Sequence, residues 1–517
     1  MVVLFSVDGE RCARSQPGRK PVVTIRLPRI ARPGWWRREL LGLGVLPLLL
    51  TACAVGPDFK SPAPPDVAHF LPGQDQVAGR TVVRGAEVPA QWWELFRAPA
   101  LDRLVQDGIA HNADLAAAEA AVRVAQANAL AQRGALFPTV AGNFQASRQR
   151  VAADLSSPLE SGASIFNLYT TQLTVTYVAD VWGGTRRQVE STDAQAEMQA
   201  FQREGVYLTL TSNIALAAIE EARLRGQIAA TRRVIDLQVQ LLGILRRQNE
   251  QGQIALPDVV AQETAAAQAR LLLPPLERDL AKQGNLLAFL TGRFPSDAGQ
   301  AAFQLRSFRL PRKLPLSLPA DVVRQRPDIR AAEASLRSAN AQIGVAIANR
   351  LPQITLTANA GQTGDKLAQL FTPGTAFSMI AGSVAHTVFD AGTLENRQWA
   401  AEEATNQAIE QYRSVVLAAF KNVADVLRAL QADARMIDAA AAAERSAEQN
   451  VSLVRRQVEQ GQVNIALLIA AQQAFLQTSL ARVDSEASRL ADTVALFQAL
   501  GGGWWNRDSV NTTREAR

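Results

Sequence analysis

Two nearly identical phrases decide how this chain is organised: RRQNEQGQIAL at residues 246–256 and RRQVEQGQVNIAL at residues 455–467. Each phrase ends a long segment that lacks clustered turn signals, and each precedes another such segment. The glycine of Gln-Gly-Gln can take the left-handed conformation that ends a helix and reverses the chain. Because the phrases recur about 209 residues apart, an internal repeat must be considered before single motifs.

The segments that flank the phrases have the apolar spacing of helices packed side by side. Apolar residues step by four and three along the second segment, as in a coiled coil: Val416, Phe420, Val423, Leu427 and Leu430. We predict long helices over 184–251 and 392–460, each about 100 Å long at about 1.5 Å per residue. After the turns at Gly252 and Gly461, return helices are expected over 254–291 and 463–500.

Each half also contains a pair of segments in which apolar and polar residues alternate, over 137–182 and 351–390. Period-two alternation predicts β-hairpins whose two faces meet different surroundings, and roughly ten residues per strand suffice to cross an outer membrane. The predicted lipid-facing residues are Val140, Phe144, Leu173, Val175, Tyr177, Ile354 and Leu356. The alternative is the edge of a soluble β-sandwich.

Four such strands cannot close a barrel alone, and an open edge in hydrocarbon leaves backbone groups unsatisfied. Spanning strands therefore require partner chains. The sequence predicts more than one chain but does not give the number.

The amino-terminal segment resembles a lipoprotein leader. Two arginines precede an apolar core of about eleven residues, which is too short for a spanning helix, and Leu-Thr-Ala then precedes Cys53. We expect residues 1–52 to be a signal peptide and Cys53 to carry covalent lipid; the alternative is an ordinary leader followed by a stray cysteine. Ala54 favours sorting to the outer membrane. The stretch before Trp35 is long for such a leader, so the true start codon can lie downstream of Met1.

Composition argues against several functions. The net charge of +6 is accounted for by residues 1–52, which hold nine Arg or Lys against three acids, so the remainder lacks the basic excess expected of a nucleic-acid-binding protein. The only cysteines are Cys12 and Cys53, which rules out a disulfide once the leader is removed. The three histidines show no metal-ligand spacing. No catalytic motif stands out, so we expect no enzyme activity, no metal and no cofactor apart from the lipid.

An ordered set of motifs resembles the outer membrane factor family, in particular its lipoprotein branch that serves resistance-nodulation-division efflux pumps (NodT-type). The motifs are CAVGPDFKSP from Cys53, QWWELFRAPALDRLV from Gln91, RQRPDIRAAEASLRSANAQIG from Arg324, FDAG from Phe389 and the two QGQ turns. The resemblance implies a membrane α+β fold: a homotrimeric outer-membrane barrel of twelve strands, four per chain, continued by a long periplasmic α-helical barrel. The implied partners are a periplasmic adaptor protein, an inner-membrane pump and outer-membrane lipid.

The resemblance also implies roles for residues at the two turns. Gly252, Gln253, Ile254, Gly461, Gln462 and Val463 are expected at the periplasmic tip, where they dock the adaptor. Family members often carry aspartates just past the second turn, but Leu467 and Ala470 occupy the matching places here, whereas Asp258 follows the first turn. We therefore expect an apolar constriction that gates by dewetting, with a displaced acidic ring at Asp258 as the alternative.

The predicted domain organisation has six parts. These are a signal peptide (1–52), a lipid-anchored extended segment (53–98), a first repeat (99–293), a proline-rich irregular crossover (294–319), a second repeat (320–500) and a carboxy-terminal tail (501–517). The predicted function is a passive conduit for small molecules in a tripartite efflux system. Type I protein secretion is an alternative, and a purely structural periplasmic coiled-coil lipoprotein is another.

Overall fold

The computed structural model describes residues 54–72, 81–152, 162–297, 302–311 and 313–507. The predicted signal peptide and Cys53 lie outside the described residues, so the predictions made for them remain predictions.

Helices and strands recur in the same order in the two halves of the chain. The first half contains β1 (Thr81–Arg84), α1 (Pro99–His111), α2 (Ala113–Gly134), β2 (Thr139–Arg150), β3 (Ile165–Ala179), α3 (Gly184–Glu250), α4 (Leu256–Leu271) and α5 (Leu273–Leu290). The second half contains β4 (Lys313–Leu316), α6 (Pro319–Gln325), α7 (Pro327–Ala348), β5 (Gln353–Gly364), β6 (Ala376–Ala385), α8 (Thr393–Glu459) and α9 (Ile465–Ala499). The long helices α3 and α8 have 67 residues each.

Four strands form one antiparallel sheet in the order β2-β3-β5-β6. Opposed residues in an antiparallel pair lie on the same face, so the register assigns each side chain to a face. Val140 opposes Val175, and Tyr177 opposes Leu356. The register in this way brings all seven predicted lipid-facing residues to one face of the sheet. Among the residues that the structure describes, strands β2 and β6 are each paired along one side only.

The main hydrophobic core lies around the middle of α3 and the ends of α5 and α9. Trp92, Phe96 and Phe497 are fully buried there and contact one another through their rings. A short parallel pair, β1 with β4, packs against the same core. A second apolar cluster lies at the far ends of α3 and α8, beside the two chain reversals.

The predicted carboxy-terminal tail (501–517) packs on the main core as far as Arg507. Gly501, Gly502 and Gly503 all have positive φ, which turns the chain back after α9 and inserts the next two tryptophans into the core. Trp504 donates its indole N–H to the Gln325 carbonyl at 2.6 Å, and Arg507 pairs with buried Glu204. Residues 501–507 are therefore part of the folded body, and 508–517 lie outside the described residues.

Several predicted boundaries also require correction. The first return helix is two helices, because Pro274 and Pro275 remove two backbone donors beside Leu272. The helices expected from residues 99 and 320 break at Asn112 and Arg326. The crossover is not wholly irregular, since it contains β4 and two 3₁₀ turns.

Among the described residues, no helix is both long and apolar enough to cross a bilayer.

Candidate functional site: the helix tips and the polar sheet face

The two chain reversals have the same hydrogen-bonding geometry. At the first, Gly252 has φ +70°, its N–H donates to the Asn249 carbonyl at 2.9 Å, and the Gln253 N–H donates to the Gln248 carbonyl at 2.8 Å. This pair of bonds is a Schellman motif, which satisfies the last carbonyls of the helix. At the second, Gly461 has φ +71°, and the matching bonds run to the carbonyls of residues 458 and 457 at 3.0 and 2.8 Å.

The two reversals lie next to each other and share one open cleft of about 620 Å³. The cleft brings together five of the six predicted docking residues: Gln253, Ile254, Gly461, Gln462 and Val463. Its walls mix carboxylates and amides with apolar side chains that belong to the tip cluster around Leu245 and Ile465. The arrangement offers a partner an apolar floor inside a polar rim. The role of the six predicted residues in docking an adaptor stays a prediction.

The three candidate constriction residues take different environments. Asp258 and Leu467 are both the third residue of their helices, α4 and α9. Asp258 is half-buried and lines the cleft between the tips. Leu467 is 48% exposed, and Ala470 is exposed one turn further along. Leu467 and Ala470 therefore present small apolar surface outward from the protomer, while Asp258 faces the neighbouring reversal.

The second face of the four-stranded sheet is polar. Asn143 donates to the Thr174 hydroxyl at 3.3 Å, and Gln172 donates to the same oxygen at 3.4 Å. Thr170 and Thr363 share a hydrogen bond of 3.1 Å between β3 and β5. Such side chains form hydrogen bonds with one another and can also form hydrogen bonds with water, as a solvent-exposed surface requires.

An aspartate stabilises the start of each long helix. The Asp180 carboxylate accepts the backbone N–H groups of Thr185 and Arg186 at 2.9 and 3.0 Å. The Asp390 carboxylate accepts those of Leu394 and Gly392 at 2.7 and 2.9 Å, and these bonds, the Leu394 bond first, lower the pKa of Asp390. Both carboxylates thus neutralise the positive end of a helix about 100 Å long at the junction with the sheet.

Sequence reasoning missed a buried arginine at the same junction. Arg187, in the first turn of α3, is only 7% exposed at its side chain and holds the residues that follow Cys53. The glycines at 56, 183 and 344, where a side chain would collide with backbone, were the signal that could have indicated a close chain crossing. Within the described ranges, no cluster of His, Cys, Asp and Glu is arranged to hold a metal.

Comparison with known proteins agrees with this architecture. The family model described as outer membrane efflux protein matches residues 104–293 and 318–502. The probable efflux pump outer membrane protein TtgC of Pseudomonas putida is 28% identical, and the alignment covers 91% of this chain and 96% of the relative. The pyoverdine export outer membrane protein OpmQ of Pseudomonas putida is 29% identical, with 89% and 97% covered. The open-state MtrE outer membrane channel of Neisseria gonorrhoeae superposes with a TM-score of 0.76 at 26% identity, covering 88% of this chain and 99% of that one.

The family model covers well over half of the chain, and the two matched segments coincide with the two structural halves. The chain therefore belongs to the outer membrane efflux protein family, and it is a passive channel of the bacterial outer membrane rather than an enzyme.

Proposed function

We propose that three copies of this chain form the outer-membrane conduit of a tripartite efflux system of the resistance-nodulation-division type. The observation that carries the proposal is a four-stranded sheet with one apolar face, one polar face and two unpaired edges. A sheet of this kind is stable in a bilayer only if its edges are paired by other chains. Three copies supply twelve strands, an even number within the range of closed outer-membrane barrels.

In this assembly the apolar face contacts lipid. Several of its apolar side chains are exposed in the protomer, and Ile380 on β6, which opposes Ala358 on the same face, is 89% exposed. Leaving so much apolar surface in water is unfavourable by about 25 cal/mol per Å². The polar face, with Asn143 and Gln172, lines a water-filled passage.

The long helices continue the passage away from the membrane. Helix α3 packs against α7, α2, α9 and α5, whereas α8 packs mainly against α9 and α7. Helix α8 consequently leaves large apolar side chains exposed in the protomer, among them Trp399, Leu417 and Met436. Neighbouring protomers in the trimer would cover these side chains, and the rods together would form an α-helical barrel.

The tip cleft supports a partner at the far end of the helices. Its apolar floor and amide-rich rim suit a helical hairpin from a periplasmic adaptor, which would connect the channel to an inner-membrane pump. Relatives named for an efflux pump and for pyoverdine export favour small molecules as cargo. Deletion of the gene should then raise susceptibility to toxic small molecules, and an unchanged susceptibility with a lost secreted protein would favour type I secretion instead.

Two adjacent residues test the assignment of the sheet faces. Leu356 lies on the apolar face and Thr357 on the polar face of the same strand. An arginine on the lipid face costs about 2–4 kcal/mol near the bilayer midplane, so Leu356→Arg should lower the yield of heat-modifiable protein in outer membranes, whereas Thr357→Arg should leave assembly intact and alter conductance. Equal tolerance of both substitutions would contradict the lipid-facing assignment.

Cysteine cross-linking tests the trimer. Ala141 on β2 and Ala381 on β6 both lie on the polar face at opposite edges of the sheet. Cysteine at 141, combined in turn with cysteine at each polar-face position of β6, should give covalent dimers and trimers, because disulfides require Cα atoms within about 7 Å. Single-cysteine variants are the control. A series that stops at dimers, or continues past trimers, would refute the number three.

A further inference from the structure

The residues that follow Cys53 are held tightly at the foot of the four-stranded sheet. The Val55 N–H donates to the Trp182 carbonyl at 3.0 Å, and Trp182 lies between the end of β3 and the start of α3. Asn340 on α7 donates to the Pro57 carbonyl at 3.0 Å. We call residues 54–61 the amino-terminal strap.

Arg187 is the centre of this attachment. Its guanidinium donates to the carbonyls of Val55 and Gly56 at 3.2 and 3.3 Å and to the Asp58 carboxylate at 2.7 Å. The remaining donor group reaches Glu190 on its own helix at 2.8 Å. Three of the four hydrogen bonds of this nearly buried guanidinium therefore go to the strap. No neutral side chain could replace this planar, charged arrangement of donors.

Glycines let the strap backbone lie directly on the helices. A Cβ at Gly56 would lie 2.5 Å from the Gly344 Cα, and one at Gly344 would lie 2.7 Å from the Val55 carbonyl oxygen. A Cβ at Gly183 would lie 2.6 Å from the Ala54 Cα. Real Cβ atoms do not approach backbone so closely, so larger residues at these positions would push the strap away.

Further contacts fix the remainder of the strap on α7. The Ser61 hydroxyl donates to the Glu333 carboxylate, and the Arg337 guanidinium lies 5.2 Å from the Phe59 ring centroid. Helix α7 therefore holds the strap from Pro57 to Ser61, over and above the contacts that Arg187 makes near its start.

The position of the strap has a consequence for the membrane. Its first described residue, Ala54, contacts the junction where the sheet ends and α3 begins. If the sheet spans the outer membrane, as proposed above, this junction lies at the membrane surface. An acyl group one residue upstream would then enter the lipid leaflet directly, with no flexible spacer.

We propose that Arg187 is a positioning residue that clamps the amino-terminal strap and thereby fixes where the acylated amino terminus meets the phospholipid headgroups. The inference rests on the proposed membrane-spanning sheet and on lipid at Cys53. The partner surface is the inner-leaflet headgroup layer beside the sheet. Arg187 acts through the strap rather than by touching lipid itself.

Hydrogen–deuterium exchange on detergent-purified protein tests the clamp without a bilayer. Arg187→Met should speed exchange of the Val55 amide at least tenfold, since two or more charge-assisted hydrogen bonds are lost. Arg187→Lys should give a smaller acceleration, because it keeps the charge but not the planar arrangement of donors. Arg133→Met is the matched control, because Arg133 donates to the Asp193 carboxylate on α3 at 2.8 Å. An unchanged Val55 exchange rate in Arg187→Met, with both variants folded by circular dichroism, would overturn the clamp.

Depth measurement in vesicles of phosphatidylethanolamine and phosphatidylglycerol tests the lipid part. A fluorophore on Pro57→Cys, whose native side chain is exposed, should be quenched by headgroup nitroxide lipids in the otherwise native protein, and the quenching should fall at least twofold with Arg187→Met. Faster exchange together with unchanged quenching would refute the lipid-positioning role. Failure of the native protein to insert into vesicles would refute the membrane-spanning sheet instead, and the exchange result would still decide the clamp.

Discussion

A single methyl group should have opposite effects at two glycines that lie nine residues apart. Gly252 ends α3 with φ +70°, and Gly243 lies inside the helix; an added Cβ at either position meets no atom within 4 Å in the protomer. Steric overlap therefore plays no part, and backbone conformation alone decides whether the added methyl group stabilises or destabilises the end of α3. Gly252→Ala places a Cβ in the left-handed region, which costs roughly 1–2 kcal/mol. Gly243→Ala removes a helix-breaking residue and gains about 0.8–1.0 kcal/mol.

Hydrogen exchange at the tip measures both effects. The Gln253 N–H bonds to the Gln248 carbonyl at 2.8 Å only while residue 252 keeps its left-handed conformation. A loss of one to two kcal/mol corresponds to a factor of roughly 5–30 in a local equilibrium, so Gly252→Ala should speed exchange of the Gln253 amide by that factor. Gly243→Ala should slow exchange in the last turns of α3 by roughly fourfold.

Two further variants separate strain from collision. Gly252→Asn should accelerate exchange less than Gly252→Ala, because asparagine tolerates the left-handed conformation. Gly292 has nearly the same φ, +68°, but a Cβ there would overlap the His111 carbonyl, so Gly292→Ala should be more destabilising than Gly252→Ala. The reasoning is refuted if Gly252→Ala and Gly243→Ala change tip exchange in the same direction.

Three other predictions concern the constriction, a helix cap and the carboxy-terminal segment. In planar bilayers, Leu467→Asp should raise conductance and cation preference, while Asp258→Asn should change little; a strong native cation preference lost in Asp258→Asn would place the acidic ring there. Asp390→Ala should speed amide exchange in the first turn of α8 at neutral pH. The folded-state pKa of Asp390 is lowered from 3.8, so the stabilisation of the helix start by native Asp390 is present above pH 3.8. This stabilisation is lost as the pH falls through the folded-state pKa. Arg507→Met should destabilise the folded body by roughly 1.5–3 kcal/mol, seen as a lower thermal midpoint, because buried Glu204 loses one of its two arginine partners.

Local sequence carried enough information to predict the long helices. The structure places them at Gly184–Glu250 and Thr393–Glu459, within one residue of the predicted limits at both ends. Both limits depend on features within a few residues: the four-three apolar spacing and a glycine that can adopt positive φ. The strands were predictable for the same reason, since alternation is local and needs no knowledge of the partner strand.

The missed features depend on contacts that are remote in sequence. Strand β4 has only four residues, two of them Leu and one Pro, and it pairs with β1 from the other end of the first half. Gly501–Gly503 has the composition of a flexible tail, but the core accepts the tryptophans that follow it. The break at Leu272 is a different case, because its cause, Pro274 and Pro275, is local and can be recognised in the sequence.

The starts of the two long helices differ in whether they hold the amino-terminal strap. Arg187 is the fourth residue of α3, and the fourth residue of α8 is Asn396, whose amide donates to the Gly392 carbonyl of its own helix at 2.9 Å. The two helix starts share a glycine with positive φ and a capping aspartate. A protomer, however, has only one amino terminus. Arg187 at the start of α3 binds it, whereas Asn396 at the start of α8 bonds to its own helix. The glycine and the aspartate thus account for what the two helix starts share, and the single amino terminus accounts for the arginine at only one of them.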